Sequence, residues 1–388
     1  MCGIAGLMTL SGQAPDAATL QALSEALAHR GPDGRGEYVS GGVGLGQTRL
    51  AIIDLETGDQ PLYAEMNGQK ACLVANGEIY NYVELKLDMG RIDFRTKSDC
   101  EPPLHLYLRH GLDFARYLRG MFAIAIHDPV EDCLVLARDP FGIKPLYFAE
   151  TAAGFAFASE PQALLQSGLV KAVLEPKARD ELLQLQFITG AKTAFQGIHR
   201  LLPGETVAVR KGRISDRIRR SALPDGGPVN ISKADALRRL DGLLNDTVNI
   251  HQRSDVPYGM FLSGGIDSSV LLAMMARLNE RPVQAFTAGF SGATATDERQ
   301  HARLVAAAAG AEHTEVEFTE DDFWALLPDV AAIMDDPAAD YATLPSYKLA
   351  GAAKDAGLKV VLTGEGGDEL FGGYGRYRRA ARWRILGG

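Results

Sequence analysis

The sequence has few cysteines, and no two of them are spaced as C-x-x-C. The four cysteines are Cys2, Cys72, Cys100 and Cys133. Their spacing indicates neither a disulfide framework nor a zinc site. The sequence also lacks an apolar run near the roughly 20 residues that cross a bilayer, and its amino terminus lacks a secretory pattern. We therefore expect a cytoplasmic protein without a membrane-spanning segment.

An excess of positive charge is also absent. The chain has 40 Lys and Arg residues against 49 Asp and Glu residues, which gives a formal net charge of -9. Because nucleic-acid surfaces need clustered cations, this balance argues against a nucleic-acid partner. A hydrophobic content of 46% with 23% charged residues is typical of a soluble globular protein. At roughly 150 residues per domain, the length of 388 residues predicts two or three domains.

Short alternating segments separated by turns dominate the first half of the chain. They predict strands at 120–126, 133–137 and 154–158, and helical patterns interrupt them at 17–28 and 103–109. Strand-rich sequence with a few helices favours two packed sheets flanked by helices. We therefore predict an α+β amino-terminal domain.

A change in composition divides the chain. Arg-rich and Gly/Pro-rich sequence replaces the apolar periodicity at 211–231, which predicts a linker there. Beyond it, strands are predicted at 258–262, 284–290 and 359–362, and helices at 268–278 and 298–309. Repeated strand–helix units predict an α/β domain with a doubly wound parallel sheet, whose site lies at the carboxyl ends of the strands.

A thiol stands one residue from the amino terminus, at Cys2. After removal of Met1, Cys2 would carry a free amine with an ordinary pKa of about 7.7–8.0, which could accept the thiol proton. One residue would then supply both the nucleophile and its base. Taken alone, Cys2 is also compatible with a chance cysteine at position 2.

Three further segments favour the functional interpretation. Arg49 borders an apolar segment and is suited to clamp a carboxylate through two parallel hydrogen bonds. Asn76 offers a side-chain amide and Gly77 an unobstructed backbone N–H, which are the parts of an oxyanion hole. Asp99 could hold a substrate ammonium. These residue types make a chance cysteine at position 2 a weaker explanation.

The motifs MCGIAG, HRGPDG, TRLAIID, NGEIYN, SDCE and RDPFGIKPLYF together resemble the glutaminase domain of class II glutamine amidotransferases, specifically that of glutamine-hydrolysing asparagine synthetases. The resemblance covers about residues 1–210 and implies an Ntn-type four-layer αββα fold. The paired Pro102 and Pro103 depart from the family's usual helix start, and we expect them to shift that start by up to one turn while Asp99 stays in register.

The resemblance also implies a role for each site residue. Cys2 attacks the side-chain amide of glutamine, while Asn76 and Gly77 stabilise the oxyanion. Arg49 holds the glutamine carboxylate. The residues implied to bind the amino end of glutamine are Glu78 and Asp99. The HRGPDG loop alone is equally compatible with an ordinary turn.

A second glycine-rich signature, SGGIDSS at 263–269, follows a predicted strand and opens a predicted helix. Its backbone N–H groups and the helix dipole would face a bound anion. The loop lacks the Gly-Lys-Ser/Thr ending of a Walker loop, so transfer of the γ-phosphate is not indicated. Together with the acidic loop TGEGGDE at 363–369, it resembles the PP-loop of ATP pyrophosphatases, which cleave ATP between the α and β phosphates.

Cleavage of ATP at this bond needs Mg²⁺ held by oxygen ligands. We predict Asp267 and Asp368 as those ligands, although Asp267 alone is also compatible with a helix cap. The resemblance implies that Glu365 assists formation of an acyl-adenylate, and that Ala288 replaces a bulkier residue common in the family. The residues expected to contact ATP are Leu262, Ser263, Gly264, Gly265, Asp267, Ser268, Ser269, Ala288, Thr363 and Gly364. Without an assigned role, the acidic residues expected near the acidic substrate are Asp335, Asp336 and Asp340.

The two resemblances together imply ATP-dependent asparagine synthesis, in which ammonia from glutamine displaces AMP from β-aspartyl-AMP. The expected small-molecule partners are glutamine, aspartate and ATP, and the resemblance also implies a homodimer. We predict a glutaminase domain at 2–210, a linker at 211–231 and an ATP-binding domain at 232–388, which we expect to be incomplete because the family continues further. Two alternatives stay open: a related amidotransferase for another carboxylate, and a truncated chain that acts as a regulator or glutaminase remnant.

Overall fold

The computed structural model describes residues 1–66, 69–90, 92–290, 297–380 and 382. The chain divides into two compact units. Unit 1 comprises Met1–Pro228 and Ala331–Asp340, and unit 2 comprises Val229–Val330 and the described residues from Tyr341 onward. Among the helices in the described ranges, none has both the length and the apolar character that crossing a membrane requires.

Two antiparallel sheets form the centre of unit 1. Its strands are β1 (Gly3–Thr9), β2 (Gly34–Ser40), β3 (Val43–Arg49), β4 (Leu62–Met66), β5 (Gln69–Ile79), β6 (Gly120–Asp128), β7 (Cys133–Arg138), β8 (Tyr147–Glu150), β9 (Gly154–Ala158), β10 (His199–Arg200), β11 (Glu205–Arg210) and β12 (Arg213–Arg219). The first sheet has the strand order β10-β8-β9-β1-β3-β2, and the second has the order β12-β11-β7-β6-β5-β4. The strands predicted near 120, 133 and 154 are β6, β7 and β9.

The inner faces of the two sheets pack on each other. Ile4, Leu45 and Phe157 of the first sheet share one buried cluster with Val74 and Ala125 of the second. The outer faces are covered by helices, so that β1 is buried along six successive residues rather than at every second one. A strand buried on both faces needs a continuous run of small and apolar residues, which the sequence GIAGLM supplies.

Helices complete the four layers. The helices of the amino-terminal half are α1 (Ala17–Ala26), α2 (Tyr82–Asp88), α3 (Pro102–His110), α4 (Pro161–Gln166) and α5 (Pro176–Leu185). Apolar residues of α1 and α4 pack on the first sheet, and those of α2 and α3 pack on the second. The predicted αββα layering is therefore confirmed.

Two local features differ from the simplest sequence interpretation. Helix α3 begins with the paired prolines, which its first turn accepts because the N–H groups there have no partner within the helix. Strand β12 lies inside the segment predicted as a linker and pairs with β11 at the edge of the second sheet, and unit 1 ends only at Pro228. Charged side chains suit an exposed edge strand, which explains why an Arg-rich sequence resembled a linker. The limits of the domains themselves stay a prediction.

Unit 2 contains a parallel sheet with the strand order β15-β14-β13-β16. Its strands are β13 (Tyr258–Phe261), β14 (Gln284–Phe290), β15 (Glu312–Phe318) and β16 (Val360–Leu362). The remaining helices are α6 (Lys233–His251), α7 (Ile266–Leu278), α8 (Arg299–Ala309), α9 (Glu320–Ile333), α10 (Thr343–Asp355), α11 (Gly367–Phe371) and α12 (Gly375–Ala380).

The direction in which successive strands are added to the sheet reverses between β13 and β16. The chain runs outward from β13 through β14 to β15, and then returns to add β16 on the other side of β13. In a doubly wound sheet, such a reversal opens a crevice at the carboxyl ends of the two strands. The SGGIDSS loop follows β13 and the TGEGGDE loop follows β16, so both loops lie at this crevice. The predicted α/β doubly wound class is confirmed.

Candidate functional site

The pairing of β1 with β3 places Cys2 beside Arg49. The two strands run antiparallel with Gly3 opposite Thr48, and the backbone N–H of Leu50 donates to Cys2 Sγ at 3.3 Å. Burial raises the pKa of the Cys2 thiol, and the hydrogen bond from Leu50 opposes that effect. Since only the thiolate is a good nucleophile, this thiol needs a base.

The surroundings of the amino terminus favour a neutral amine. Burial, assisted by the charge of Arg30, lowers the pKa of the Met1 amine to about 6. An amine in this environment is mostly unprotonated at pH 7 and can accept a proton. This amine belongs to Met1, and the role of the Cys2 amine as base after removal of Met1 stays a prediction.

Arg30 is a contact of Cys2 that the sequence interpretation left unassigned. Its Nε donates to the Cys2 carbonyl oxygen at 3.1 Å, and its Nη1 donates to the carboxylate of Glu160. Its Nη2 is buried and has no hydrogen-bond partner among the described residues. Arg30 belongs to the HRGPDG motif, for which a functional role and an ordinary turn both stay open.

The two predicted oxyanion donors lie next to each other on β5. Asn76 is 1% exposed, and its Nδ2 has no hydrogen-bond partner within the described part of the chain. An unpaired buried donor costs about 1–3 kcal/mol, which a bound acceptor would offset. At Gly77 a Cβ would lie 2.8 Å from the carbonyl oxygen of Met121, so the close approach of β6 requires glycine there.

Two carboxylates lie near these donors, the buried Asp99 and the half-buried Glu78. Asp99 accepts a hydrogen bond from the backbone N–H of Ile79 at 2.7 Å, which holds it against the end of β5. Burial raises the pKa of Asp99 to about 6. Burial and the charge of Asp99 raise the pKa of Glu78 well above its ordinary value. Ionisation of these two carboxylates is unfavourable unless a cation binds beside them, as expected of a site for an ammonium group.

Arg49 is held firmly at the end of β3. Its guanidinium is nearly buried and donates through Nη2 to the carbonyl oxygens of Ile53 and Asp54. Its Nη1 lies 2.7 Å from Oδ1 of Asp59. The predicted clamp for a carboxylate thus already contacts a carboxylate of the protein.

Lys144 is a second cation near Cys2 that the sequence interpretation missed. The residue is 5% exposed, and its Nζ lies 3.2 Å from Sδ of Met1. Burial lowers its pKa, while the charges of Glu78 and Cys2 oppose that effect. The lysine of the RDPFGIKPLYF motif was the sequence signal for it.

In unit 2, serine hydroxyls close the SGGIDSS loop on the first turn of α7. The backbone N–H of Ser263 donates to Ser268 Oγ at 3.2 Å, and Ser268 Oγ donates to the Gly265 carbonyl oxygen at 3.2 Å. Gly264 has a φ of +77°, a conformation that favours glycine. The hydroxyl of Ser269 is buried and has no partner among the described residues. The loop therefore has a defined conformation at the start of α7, suited to surround a bound group.

Glycines let the second loop pack directly against the first. A Cβ at Gly364 would lie 2.8 Å from the backbone nitrogen of Ser268, and one at Gly367 would lie 2.4 Å from Cγ of Asp267. Beneath the loops, the backbone N–H of Leu262 donates to the carbonyl oxygen of Phe286 at 2.8 Å, two residues before Ala288. The residues predicted to contact ATP thus meet at one edge of the sheet, where Thr363 follows β16.

The predicted Mg²⁺ ligands differ in their placement. Asp267 points at Gly367, where the two loops meet, and this position suits a ligand of a phosphate-bound cation. The carboxylate of Asp368 instead lies against Gly373, and the side chain of Glu365 is exposed. Within the described residues, no group of three or more His, Cys, Asp or Glu side chains could hold a metal ion. Mg²⁺ bound with ATP needs only one or two carboxylates, so Asp267 fits that role.

The acidic residues expected near the acidic substrate lie in unit 1. Asp336 accepts hydrogen bonds from the hydroxyl of Tyr147 at 2.5 Å and from Nε of Arg200 at 2.6 Å. Asp335 accepts one from the backbone N–H of Gln162 at 2.6 Å, and burial raises its pKa to about 6. These contacts hold the segment Ala331–Asp340 in unit 1, and the expectation that its acidic residues lie near the acidic substrate stays a prediction.

Family models match both parts of the chain. The model of the glutamine amidotransferase domain matches residues 1–219, and the model of asparagine synthase matches residues 239–387. These matches agree with the positions of the two candidate sites, one in each unit.

Relatives cover almost all of this chain. It is 36% identical to the glutamine-hydrolyzing asparagine synthetase 1 of Bacillus subtilis, over 97% of the chain and 60% of the relative. It is 33% identical to the glutamine-hydrolyzing asparagine synthetase B of Escherichia coli, over 100% of the chain and 67% of the relative. It is also 32% identical to amidase chry2 of Gibberella zeae, over 97% of the chain and 60% of the relative. The chain spans about three fifths of the length of most of these curated relatives.

Proposed function

The chain belongs to the family of glutamine-hydrolysing asparagine synthetases, and from this membership we propose that it makes asparagine from aspartate, with glutamine as the nitrogen donor and ATP as the activating substrate. The unpartnered amide of Asn76 is the observation that supports the proposal most. It lies on β5 two residues before Glu78, whose charge acts on the Cys2 thiol. A buried donor near a nucleophile is what stabilisation of an oxyanion requires.

Glutamine hydrolysis proceeds at Cys2 in this proposal. The thiol proton passes to the amine that Cys2 carries after removal of Met1, and the thiolate attacks the amide carbon of glutamine. Asn76 Nδ2 and the Gly77 N–H donate to the oxyanion as it forms. The carbon–nitrogen bond then breaks, ammonia leaves with the returned proton, and water cleaves the thioester to glutamate.

Charged residues at the two ends of glutamine position its amide. Arg49 binds the α-carboxylate, and the carboxylates of Glu78 and Asp99 receive the ammonium. Binding of that ammonium offsets the cost that burial imposes on the two carboxylates. A substrate fixed at both ends leaves its amide carbon within reach of Cys2.

The second reaction takes place at the crevice of unit 2. The aspartate β-carboxylate attacks the α-phosphorus of ATP, pyrophosphate leaves, and ammonia then displaces AMP from β-aspartyl-AMP. Backbone N–H groups of the SGGIDSS loop would bind pyrophosphate oxygens. Mg²⁺ would neutralise phosphate charge, with Asp267 as a ligand. Asp368 would be the second ligand only after its carboxylate turns away from Gly373, and Glu365 would assist at the acyl group. A cytoplasmic location and a homodimer belong to the same proposal.

An acceptor other than aspartate is the second candidate. Amidase chry2 is nearly as similar to this chain as the Escherichia coli synthetase, at 32% against 33% identity. The residues described above recognise glutamine and ATP, so the similarity does not by itself select the acceptor. A panel of carboxylic acids tested in place of aspartate separates the two candidates.

Replacement of Cys2 by alanine tests the two-site mechanism. We expect Cys2→Ala to abolish asparagine formation from glutamine and to leave formation from free ammonia unchanged, because ammonia bypasses the thiol. Asparagine formation with each nitrogen source measures this. Equal loss of both activities would contradict the mechanism.

A further inference from the structure

The guanidinium of Arg49 has specific contacts on both of its terminal nitrogens. Nη2 donates to the carbonyl oxygens of Ile53 and Asp54, which leaves Nη1 for another acceptor. Nη1 donates to Oδ1 of Asp59 at 2.7 Å. Because the arginine side chain is 8% exposed, a ligand carboxylate has few other ways to reach it.

The turn between Asp54 and Asp59 is built to present one carboxylate to Arg49. The carboxylate of Asp54 is used inside the turn, where it accepts from the backbone N–H of Thr57 at 2.9 Å and from that of Lys97 at 2.9 Å. Asp54 has a φ of +55°, and Gly58 donates its N–H to the Asp54 carbonyl oxygen at 3.2 Å.

The turn closes tightly over the guanidinium. A Cβ at Gly58 would lie 2.6 Å from Nη2 of Arg49, so only glycine allows this approach. The next residue, Asp59, has a side chain that is 80% exposed, and its carboxylate has no hydrogen bond except that to Arg49 within the described residues. Asp59 is therefore an exposed side chain whose specific contact is the proposed substrate clamp, Arg49.

We propose that Asp59 occupies the place on Arg49 that the α-carboxylate of glutamine takes, so that it sets the affinity and the selectivity of the site for α-carboxylate substrates. This inference rests on the proposed function, because it takes glutamine as the substrate of unit 1. Glutamine binds by displacing the Asp59 carboxylate into solvent. An amide donor without an α-carboxylate gains nothing from this displacement.

The ion pair between Arg49 and Asp59 is weak enough for a substrate carboxylate to displace, yet its removal should have a measurable effect. Exposed ion pairs contribute little, since solvent screens them and both side chains lose freedom. We therefore expect Asp59→Asn to lower the KM for glutamine about two- to fivefold at low salt, with kcat unchanged. The difference between the two enzymes should shrink as ionic strength rises, because salt screens the competing carboxylate.

The experiment compares two substrates and two variants of the full chain. Glutamine hydrolysis and hydrolysis of glutaminamide, which lacks the α-carboxylate, are measured for wild type, Asp59→Asn and Glu56→Gln. Glu56 is exposed on the same turn, so its variant removes an equal charge without touching Arg49. We expect Asp59→Asn to lower the KM for glutamine alone, and Glu56→Gln to change neither KM.

The outcomes separate this inference from the proposed function. A wild-type enzyme that fails to hydrolyse glutamine contradicts the proposed function. If wild type is active, an unchanged or raised KM for glutamine in Asp59→Asn overturns the inference. An equal fall in both KM values also overturns it, because the effect would then be independent of the α-carboxylate.

Discussion

At the scale of single residues, the buried carboxylate of Asp99 links the site to pH. Burial raises its pKa to about 6, while the hydrogen bond from Ile79 N–H opposes that effect. The ionised form attracts the ammonium of glutamine and the protonated form does not. Protonation of Asp99 as pH falls through about 6 should therefore weaken binding of glutamine.

We expect kcat/KM for glutamine hydrolysis to fall by at least about tenfold per pH unit well below pH 6, because Asp99 is then protonated. A pH profile of kcat/KM measures this. A flat profile from pH 7 to pH 5 would be incompatible with an ionised Asp99 as the ammonium site.

Asp99→Asn provides the control for this assignment. Since the folded state raises the pKa of Asp99, the ionised group lowers stability once the pH exceeds its unfolded value, with the full loss above about 6. The asparagine variant should thus be at least as stable as wild type at pH 7, yet bind glutamine poorly. Lower stability together with lost binding would indicate a merely structural residue.

Residue types and motifs in the sequence predict Cys2, Arg49 and Asn76 as site residues, and the register of β1 with β3 places the first two side by side. Asp59 and Lys144 were not predicted. Asp59 reaches Arg49 only because the turn before it has a left-handed residue, and no periodicity in the sequence indicates such a turn. Lys144 contacts Met1, which is far from it in the sequence, so no local pattern indicates the contact.

At the scale of secondary-structure elements, Asp336 makes the ionic contact that holds the segment Ala331–Asp340. Two further hydrogen bonds hold the same segment, from Gln162 N–H to Asp335 and from Ala339 N–H to the Gln186 carbonyl oxygen. Asp336 binds Nε of Arg200 at 2.6 Å and the hydroxyl of Tyr147 at 2.5 Å, with its side chain 16% exposed. Loss of one partner from a buried pair leaves the other charge uncompensated, which costs about 3–5 kcal/mol in full burial. This contact is partly exposed, so a smaller cost applies.

We expect Asp336→Ala to destabilise unit 1 by about 2–3 kcal/mol and to speed amide hydrogen exchange in residues 331–340. Tyr147→Phe should cost less, about 1–2 kcal/mol, because it removes one hydrogen bond to a charged group. The exposed Asp329 on α9 offers a matched control that should be nearly neutral. If amide hydrogen exchange in 331–340 is unchanged in Asp336→Ala, other contacts hold the segment.

Strands and helices with a clear apolar periodicity could be predicted from the sequence, whereas a charged strand at a sheet edge could not. Strands β6, β7 and β9 follow from alternating apolar residues. Strand β12 is Arg-rich because it lies at a sheet edge in contact with solvent, so its composition matched that of a linker. The attachment of 331–340 to unit 1 depends on Arg200 and Tyr147, which are distant in sequence and carry no local signal.

At the scale of the whole molecule, the alternation of strand and helix predicted a doubly wound sheet in unit 2. The strand order that creates its crevice comes from the return of β16 beside β13, which no single segment encodes. The motifs nevertheless predicted the site, because both glycine-rich loops directly follow predicted strands. The acceptor substrate has no comparable motif, and for that reason it stays a proposal.

Release of pyrophosphate tests the central claim most directly. The full chain is incubated with Mg-ATP and glutamine, with and without aspartate, and pyrophosphate and asparagine are both measured. We predict that pyrophosphate is released only when aspartate is present and that asparagine forms in equal amount. Release that does not depend on aspartate, or glutamine hydrolysis without any release, would contradict asparagine synthesis by this chain.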